Sequence, residues 1–346
     1  RRSLYASEGV SLNLRALHEM IGCTLIAGSD PMAGMIAALS QPPKEPRNIV
    51  LFGAGVSRFA GHIIPKPPPL GACLLEELSV FDSRTWGVIP EKYSSKFAEN
   101  FELGMEEIRE GEIEYFPGLM KSLSIYFTQF WLERDGLDSY TRFVRALRKR
   151  GTATRTILST LNYECLLEHG ASLAGLMYSH FQPEAIDGNA SVWKLHGSCA
   201  FLPGDGVQVA GMKYDGATIF EGGIRFVRPT EAGSWLRGKT SLYSVMCMFE
   251  AGKPVQFHPT FFRAVHDAWG SRVRGAGAVL IAGARPNPLD RHVWAHLGGA
   301  GGRVGYVGSR SEYEEWLPSR EGRPTLYLGS NFESVVSEAA DFISEY

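Results

Sequence analysis

The stretch Asn48-Ile49-Val50-Leu51-Phe52-Gly53-Ala54-Gly55-Val56-Ser57 decides how this chain is read. Its first half is a continuous apolar run with β-branched members, and Gly53-Ala54-Gly55 stops it. A short run without polar alternation predicts a strand buried on both faces, as in a parallel sheet. Open α/β sheets bind ligands beyond the carboxyl ends of their strands, so these glycines stand at the ligand edge. Glycine there lets backbone approach a pyrophosphate, although a G-x-G alone reads equally well as a tight turn.

Runs of the same kind recur at Thr156–Thr160, Val192–Leu195, Ala278–Ala282, Arg303–Val307 and Thr325–Leu328, several of them separated by helical patterns. That alternation predicts an α/β fold, a Rossmann-like, mostly parallel sheet with helices on both faces. A helical subdomain is expected to be inserted after the first strand, over residues 66–150 or thereabouts. Within it Phe116, Leu119, Leu123, Phe127 and Phe130 recur at helical spacing, which predicts a core stripe, with an oligomer interface as the alternative. Ser139 is the expected N-cap of a helix running to Lys149, and Gly151 its terminator. Leu12, Leu14, Leu17, Met20 and Ile21, then Met35, Ile36 and Leu39, predict an N-terminal helical segment over 1–47, closed by Gln41-Pro42-Pro43. Residues 48–346 then form the main domain. Ala217–Phe220 and Ile224–Val227, around Glu221-Gly222-Gly223, read as a hairpin.

The chain has 346 residues, 44% hydrophobic and 21% charged, with 35 basic against 37 acidic side chains. This composition excludes disordered, collagen-like and disulfide-scaffold classes. Its charge balance makes no electrostatic case for direct binding to nucleic acid or an anionic membrane. Cys23, Cys73, Cys165, Cys199 and Cys247 are scattered and include no C-x-x-C pair. Such spacing points to free thiols in a reducing compartment and rules out a four-cysteine zinc module. No apolar run approaches the ~20 residues of a membrane helix and no secretory signal is visible, so a cytoplasmic location is expected.

Two further strand ends carry polar groups. They are Ser159-Thr160-Leu161-Asn162-Tyr163-Glu164 and Trp193-Lys194-Leu195-His196-Gly197-Ser198. Read alone, Asn162 caps a helix over 163–169 and His196 is a structural histidine. Convergence of three strand ends on one edge argues instead for a site. Position 58, where a dinucleotide fingerprint needs its third glycine, is Arg58, and no acidic ribose ligand follows. A dehydrogenase is therefore not indicated, and neither a P-loop nor a G-x-S-x-G elbow is present. His292 and His296 lack the Glu of H-E-x-x-H and a third ligand, so they read as surface or packing residues and no metal is expected.

Taken together, Gly53-Ala54-Gly55-Val56-Ser57, Leu161-Asn162-Tyr163-Glu164 and Lys194-Leu195-His196-Gly197-Ser198 resemble the sirtuin-like superfamily. The nearest look is to the bacterial NAD-consuming branch found in antiphage defence, whose motifs run GAG-x-S, N-Y-D-x-L-x-E and K-L-H-G-S. Leu166-Leu167-Glu168 continues the second motif. Val279–Leu289 with Asp290 is similar to that branch's late I-I-G-Y-S-x-P-x-x-D segment, with Ala284-Arg285 where Tyr-Ser is usual, and it adds Gly283 and Asp290 to the site. The resemblance covers roughly residues 48–310. Deacylase sirtuins carry paired C-x-x-C motifs and a Phe-Arg after the first motif. This chain has neither, reads Gly61-His62-Ile63-Ile64-Pro65-Lys66 there, and has Glu164 in place of the usual Asp.

The resemblance implies NAD+ hydrolysis to nicotinamide and ADP-ribose in place of deacylation, with NAD+ as substrate, no prosthetic group and no zinc. Asn162 would orient the ribose or the attacking water. His196 would engage ribose hydroxyls and act as general base. Glu164 would contact the nicotinamide carboxamide or fix the loop, and Ala54, Gly55 and Ser57 would hold the pyrophosphate. A regulated antiphage effector, controlled through a homo-oligomer or a partner subunit, is implied by the same resemblance. ADP-ribosyl transfer, or a non-catalytic NAD or ADP-ribose sensor or scaffold, is the alternative.

Overall fold

A computed structural model describes residues 31–345 apart from 46, 112–113, 205–207, 213–217, 248–257 and 288–289. The helical reading of residues 12–21, with Cys23 and Leu289, lies outside the described residues. Seven strands form one sheet: β1 (Asn48–Phe52), β2 (Thr156–Thr160), β3 (Met177–His180), β4 (Asn189–Lys194), β5 (Ala278–Ala282), β6 (Arg303–Val307) and β7 (Thr325–Gly329). Their order is β7-β6-β5-β1-β2-β4-β3, and every neighbouring pair is parallel. This is the Rossmann-like α/β sheet that the apolar runs predict. β1, β2, β4 and β5 are buried at every residue, as strands covered on both faces must be.

Successive side chains on a strand point to opposite faces. In β4, the Trp193 ring lies under the guanidinium of Arg272 from the helix Pro259–Gly275, while Lys194 meets Glu168 of the helix Leu166–Leu173. Helices therefore cover both faces. Phe52 of β1 packs edge-on against Tyr140 and Phe143 of the helix Ser139–Lys149, which shares its layer with Leu166–Leu173 and Val336–Ser344.

Between β1 and β2 the chain is mostly helical, including Gly71–Phe81, Phe101–Gly111 and Phe116–Phe127. Phe116, Leu119, Leu123, Phe127 and Phe130 are buried in the same continuous core as the sheet, so the stripe packs within the chain. Two local expectations fail. The N-cap of the helix Ser139–Lys149 is Asp138, whose carboxylate accepts from the Thr141 amide, because Asp138 still has the extended backbone a cap needs. The expected hairpin does not form either. Thr218–Glu221 pairs with Gln208–Met212 and Ile224–Phe226 with Phe201–Pro203, so the Gly222-Gly223 turn joins strands of two different ribbons.

The sheet's register aligns the motifs. Phe52 is level with both Thr160 and Ala282, Thr160 with Lys194, and Ala282 with Val307. Gly53, Leu161, Leu195 and Gly283 are thus the first residues past one straight row. From β1 the chain winds outward through β2 to β4 and then returns to β5 on β1's other side. The switch point where α/β sheets open their ligand crevice therefore lies beside β1.

Candidate functional site

At the switch point the loops after β1 and β5 cross closely. The amides of Gly53 and Gly55 donate to the carbonyls of Ala282 and Gly283, each at 2.9 Å. A Cβ on Gly53 would lie 2.5 Å from Ala284 Cα, and one on Gly283 (φ +60) would lie 2.4 Å from the Val56 nitrogen. These glycines serve loop-on-loop packing, and their amides are already engaged. Ala54 opens the single helical turn Ala54–Arg58 and is exposed.

Ser57 is buried behind that turn and its hydrogen bonding is complete. Its Oγ donates to Glu164 Oε1 (2.5 Å) and accepts from Asn162 Nδ2 (2.9 Å), with the Tyr140 hydroxyl 2.8 Å away. A hydroxyl has one proton and two lone pairs, so Tyr140 must be the donor to Ser57. Burial, reinforced by the Glu164 charge, pushes the Tyr140 phenol well above its ordinary pKa and keeps that proton in place. The other oxygen of Glu164 accepts from the Leu166 amide at 2.7 Å. Both carboxylate oxygens are held by the protein, and the geometry gives Glu164 the loop-fixing contacts of its two expected roles.

Asn162 does not cap a helix, which begins only at Leu166. Its Nδ2 donates to the Gly53 carbonyl (3.1 Å) as well as to Ser57. A carbonyl only accepts, so the amide orientation is fixed and Oδ1 is the end turned away from both partners. Backbone bonds from Leu195 N to Thr160 O (3.0 Å) and from Cys199 N to Tyr163 O (2.9 Å) join the second and third motifs. The buried Lys194 ammonium donates to the Glu164 carbonyl and pairs with Glu168 at 3.4 Å.

His196 stands two residues past Lys194, as Asn162 stands two past Thr160, so the two lie at neighbouring strand exits. Gly197 beside it has φ +76, and a Cβ there would be 2.2 Å from Val245 O. The His196 carbonyl accepts from the Cys247 amide at 2.9 Å, which clamps the 245–247 segment onto this loop.

A residue that the sequence reads as surface or packing, His292, lies beside His196. His292 Nε2 lies 3.1 Å from His196 Nε2, and Asp290 Oδ1 lies 3.9 Å from the same nitrogen. The three ligating atoms fall within 4.8 Å of one another. His292 therefore packs directly on His196, whereas His296 turns to Arg274 (2.9 Å). The available signal was the Asp290-Arg291-His292 spacing at a helix start after a strand exit. To reach His196 from β5, this segment spans the carboxyl edge across β1 and β2, three strand spacings or ~14 Å. A second group, His62, Glu133 and Asp135, is exposed. A recess of about 90 Å³ lined by Arg47, Arg272 and Gly275 lies near the start of β1, at the opposite end of the sheet, and is too small for a dinucleotide.

No family model and no curated protein matches this chain. Among solved structures, a point mutant of a Sir2 homologue in complex with ADP-ribose is similar over 92% of this chain and 97% of that one, at 14% sequence identity and a TM-score of 0.38. A likeness of that order identifies no residue's role here.

Proposed function

We propose that this chain is an NAD+ glycohydrolase that cleaves NAD+ to nicotinamide and ADP-ribose. The observation that carries the reading is the pinned amide of Asn162 at the strand exit next to that of His196, beside the switch point. The motif resemblance to NAD-consuming sirtuin-like proteins supports the substrate.

The chemistry needs little acid. The C1′–N bond breaks with its electron pair moving onto the ring nitrogen, and the pyridinium leaves as neutral nicotinamide. The ribose passes through an oxocarbenium-like state, and water adds its oxygen to C1′. Oδ1 of Asn162 orients the water or a ribose hydroxyl. His196 takes the proton released as the C1′–O bond forms, a task suited to imidazole near neutral pH. Ser57, itself held by Glu164 and Tyr140, holds the Asn162 amide from behind, while Ala54 and the segments 53–57 and 283–287 border the space for the pyrophosphate. The same resemblance supports a regulated role in antiphage defence, exerted through self-assembly or a partner subunit.

Nicotinamide release by the purified chain, alone and with its neighbouring gene products, tests the reading. His196→Ala is expected to lower release by about 10²–10⁴-fold, the usual contribution of a positioned acid–base group. NAD+ turnover persisting in that variant overturns the assignment, and covalent ADP-ribose on a protein partner would assign the chemistry to transfer.

A further inference from the structure

We propose that His196, His292 and Asp290 form a binding site for one divalent transition-metal ion of the zinc type, and that its occupancy silences the NAD+-cleaving site. The binding half stands on geometry alone. The silencing half rests on the functional reading above.

Two imidazole nitrogens face each other at 3.1 Å, and a carboxylate oxygen stands 3.9 Å from one of them. In a tetrahedral zinc site with metal–ligand bonds of about 2.0 Å, donor atoms are ~3.3 Å apart. The two separations from His196 bracket that edge and the remaining pair lies within 4.8 Å, so a modest closing of Asp290 toward the two rings would bring all three donors to one ion. A carboxylate at 3.9 Å is too far to hydrogen-bond His196 directly, yet it occupies the third corner that a shared ion requires.

The donors are held in this arrangement by their surroundings. Asn287 Nδ2 donates to Asp290 Oδ2 at 3.2 Å, which leaves Oδ1 facing His196. The His292 ring lies against that of His266 with centroids 4.3 Å apart, and His266 Nε2 is anchored to the Leu195 carbonyl at 2.7 Å. Metal ligands are oriented by supporting contacts of this kind. His196 and Asp290 are buried and His292 is half-buried, so His292 is the donor most accessible to an incoming ion. Two imidazoles with one carboxylate suit zinc, cobalt, nickel or copper ions and disfavour magnesium and calcium. The sequence argues against a metal through its scattered cysteines and through histidines that show no third ligand. This donor set uses no cysteine, and the fold supplies the missing partners from separate strand exits.

A metal bound here takes the Nε2 lone pair of His196. That nitrogen can then neither accept a proton from water nor meet a ribose hydroxyl, so metal occupancy and NAD+ cleavage exclude each other.

The full chain, stripped with a chelator, is titrated with ZnCl2 by calorimetry and with CoCl2 by visible absorption. The expected result is one saturable Zn2+ per chain and the intense bands of low-coordinate Co2+. Both are weakened by more than about 100-fold in His292→Ala and in His292→Gln, because losing a ligand costs more than the roughly 10–100-fold that losing an outer supporting contact does. Nicotinamide release by the wild type should fall at least 10-fold on Zn2+ saturation, while release by the His292 variants ignores the same Zn2+ concentration. Absence of saturable Zn2+ binding, wild-type affinity in both variants, or equal binding of Mg2+ overturns the site. Zinc bound without loss of turnover overturns the silencing. A chain that binds Zn2+ through His292 but never cleaves NAD+ upholds the metal site and overturns the functional reading instead.

Discussion

The side-chain amide of Asn162 donates to the carbonyl of Gly53, 3.1 Å away, across 109 residues of chain. It ties the exit of β2 to the exit of β1 at the point where the sheet reverses its winding. Ser57 supports it from behind, so the orientation is set by the protein before any ligand arrives. Such preorganisation is what a site gains from rigid strand ends, because the ordering is already done when the substrate binds.

Replacing Asn162 tests this directly. Asn162→Asp keeps the size but puts a carboxylate oxygen against the Gly53 carbonyl, and Asn162→Ala removes the group. Nicotinamide release should drop by about 10²-fold or more in both. Release at the wild-type rate in either variant, measured by chromatography, would remove Asn162 from the chemistry.

The buried pair of Lys194 and Glu168 should matter for stability more than for turnover. Burial lowers the affinity of the Lys194 ammonium for its proton, but Glu168 and the neighbouring thiols outweigh this and hold its pKa up at about 12. Glu168→Ala strands that charge in the core and is expected to cost about 3–5 kcal/mol. Lys194→Met with Glu168→Leu should recover much of the loss. Urea unfolding of the single and double variants measures both, and equal losses in all of them would contradict the coupling.

His180 should make the fold acid-sensitive. The residue is half-buried as a whole, but its ring Nδ1 is shut off from solvent, and this burial, with a smaller push from the Lys194 charge, drives its pKa from 6.5 down to about 3. The ring packs edge-on against Phe201 at 4.8 Å. Below pH 6.5 the unfolded chain binds a proton that the folded one refuses, so stability is full above that pH and falls as pH drops toward 3. His180→Phe should flatten this decline in unfolding curves taken on either side of pH 6.5. An undiminished decline would place the acid sensitivity elsewhere.

Gly197→Ala asks for a side chain at φ +76 with its Cβ 2.2 Å from Val245 O. The strain and the clash should cost at least about 2 kcal/mol and displace His196 from the 245–247 segment. An unchanged urea midpoint would contradict the close approach.

Six of the seven sheet strands are legible as apolar runs, the inner five because strands covered by helices on both faces have no polar side to show, and the half-buried edge strand β7 because Leu326-Tyr327-Leu328 is itself apolar. β3 was missed. Met177–His180 lies at the sheet edge, exposed or half-buried, and its Tyr-Ser-His pattern carries no continuous apolar signal. Asn162 and His196 were legible from their places at strand ends. His292 was not, since its spacing from His296 suggested a shared role, whereas the fold sends one ring to His196 and the other to Arg274.

By itself the sequence determined the buried strands, their glycine stops and the polar residues one step beyond, because these are local patterns of burial and backbone freedom. Only the tertiary structure decided what those residues touch. Parallel register put four strand exits on one row, and the crossing of the β1 and β5 loops used up glycine amides that looked free for a phosphate. The packing of two helices against the sheet brought His292 to His196 across 96 residues, a contact no local pattern encodes.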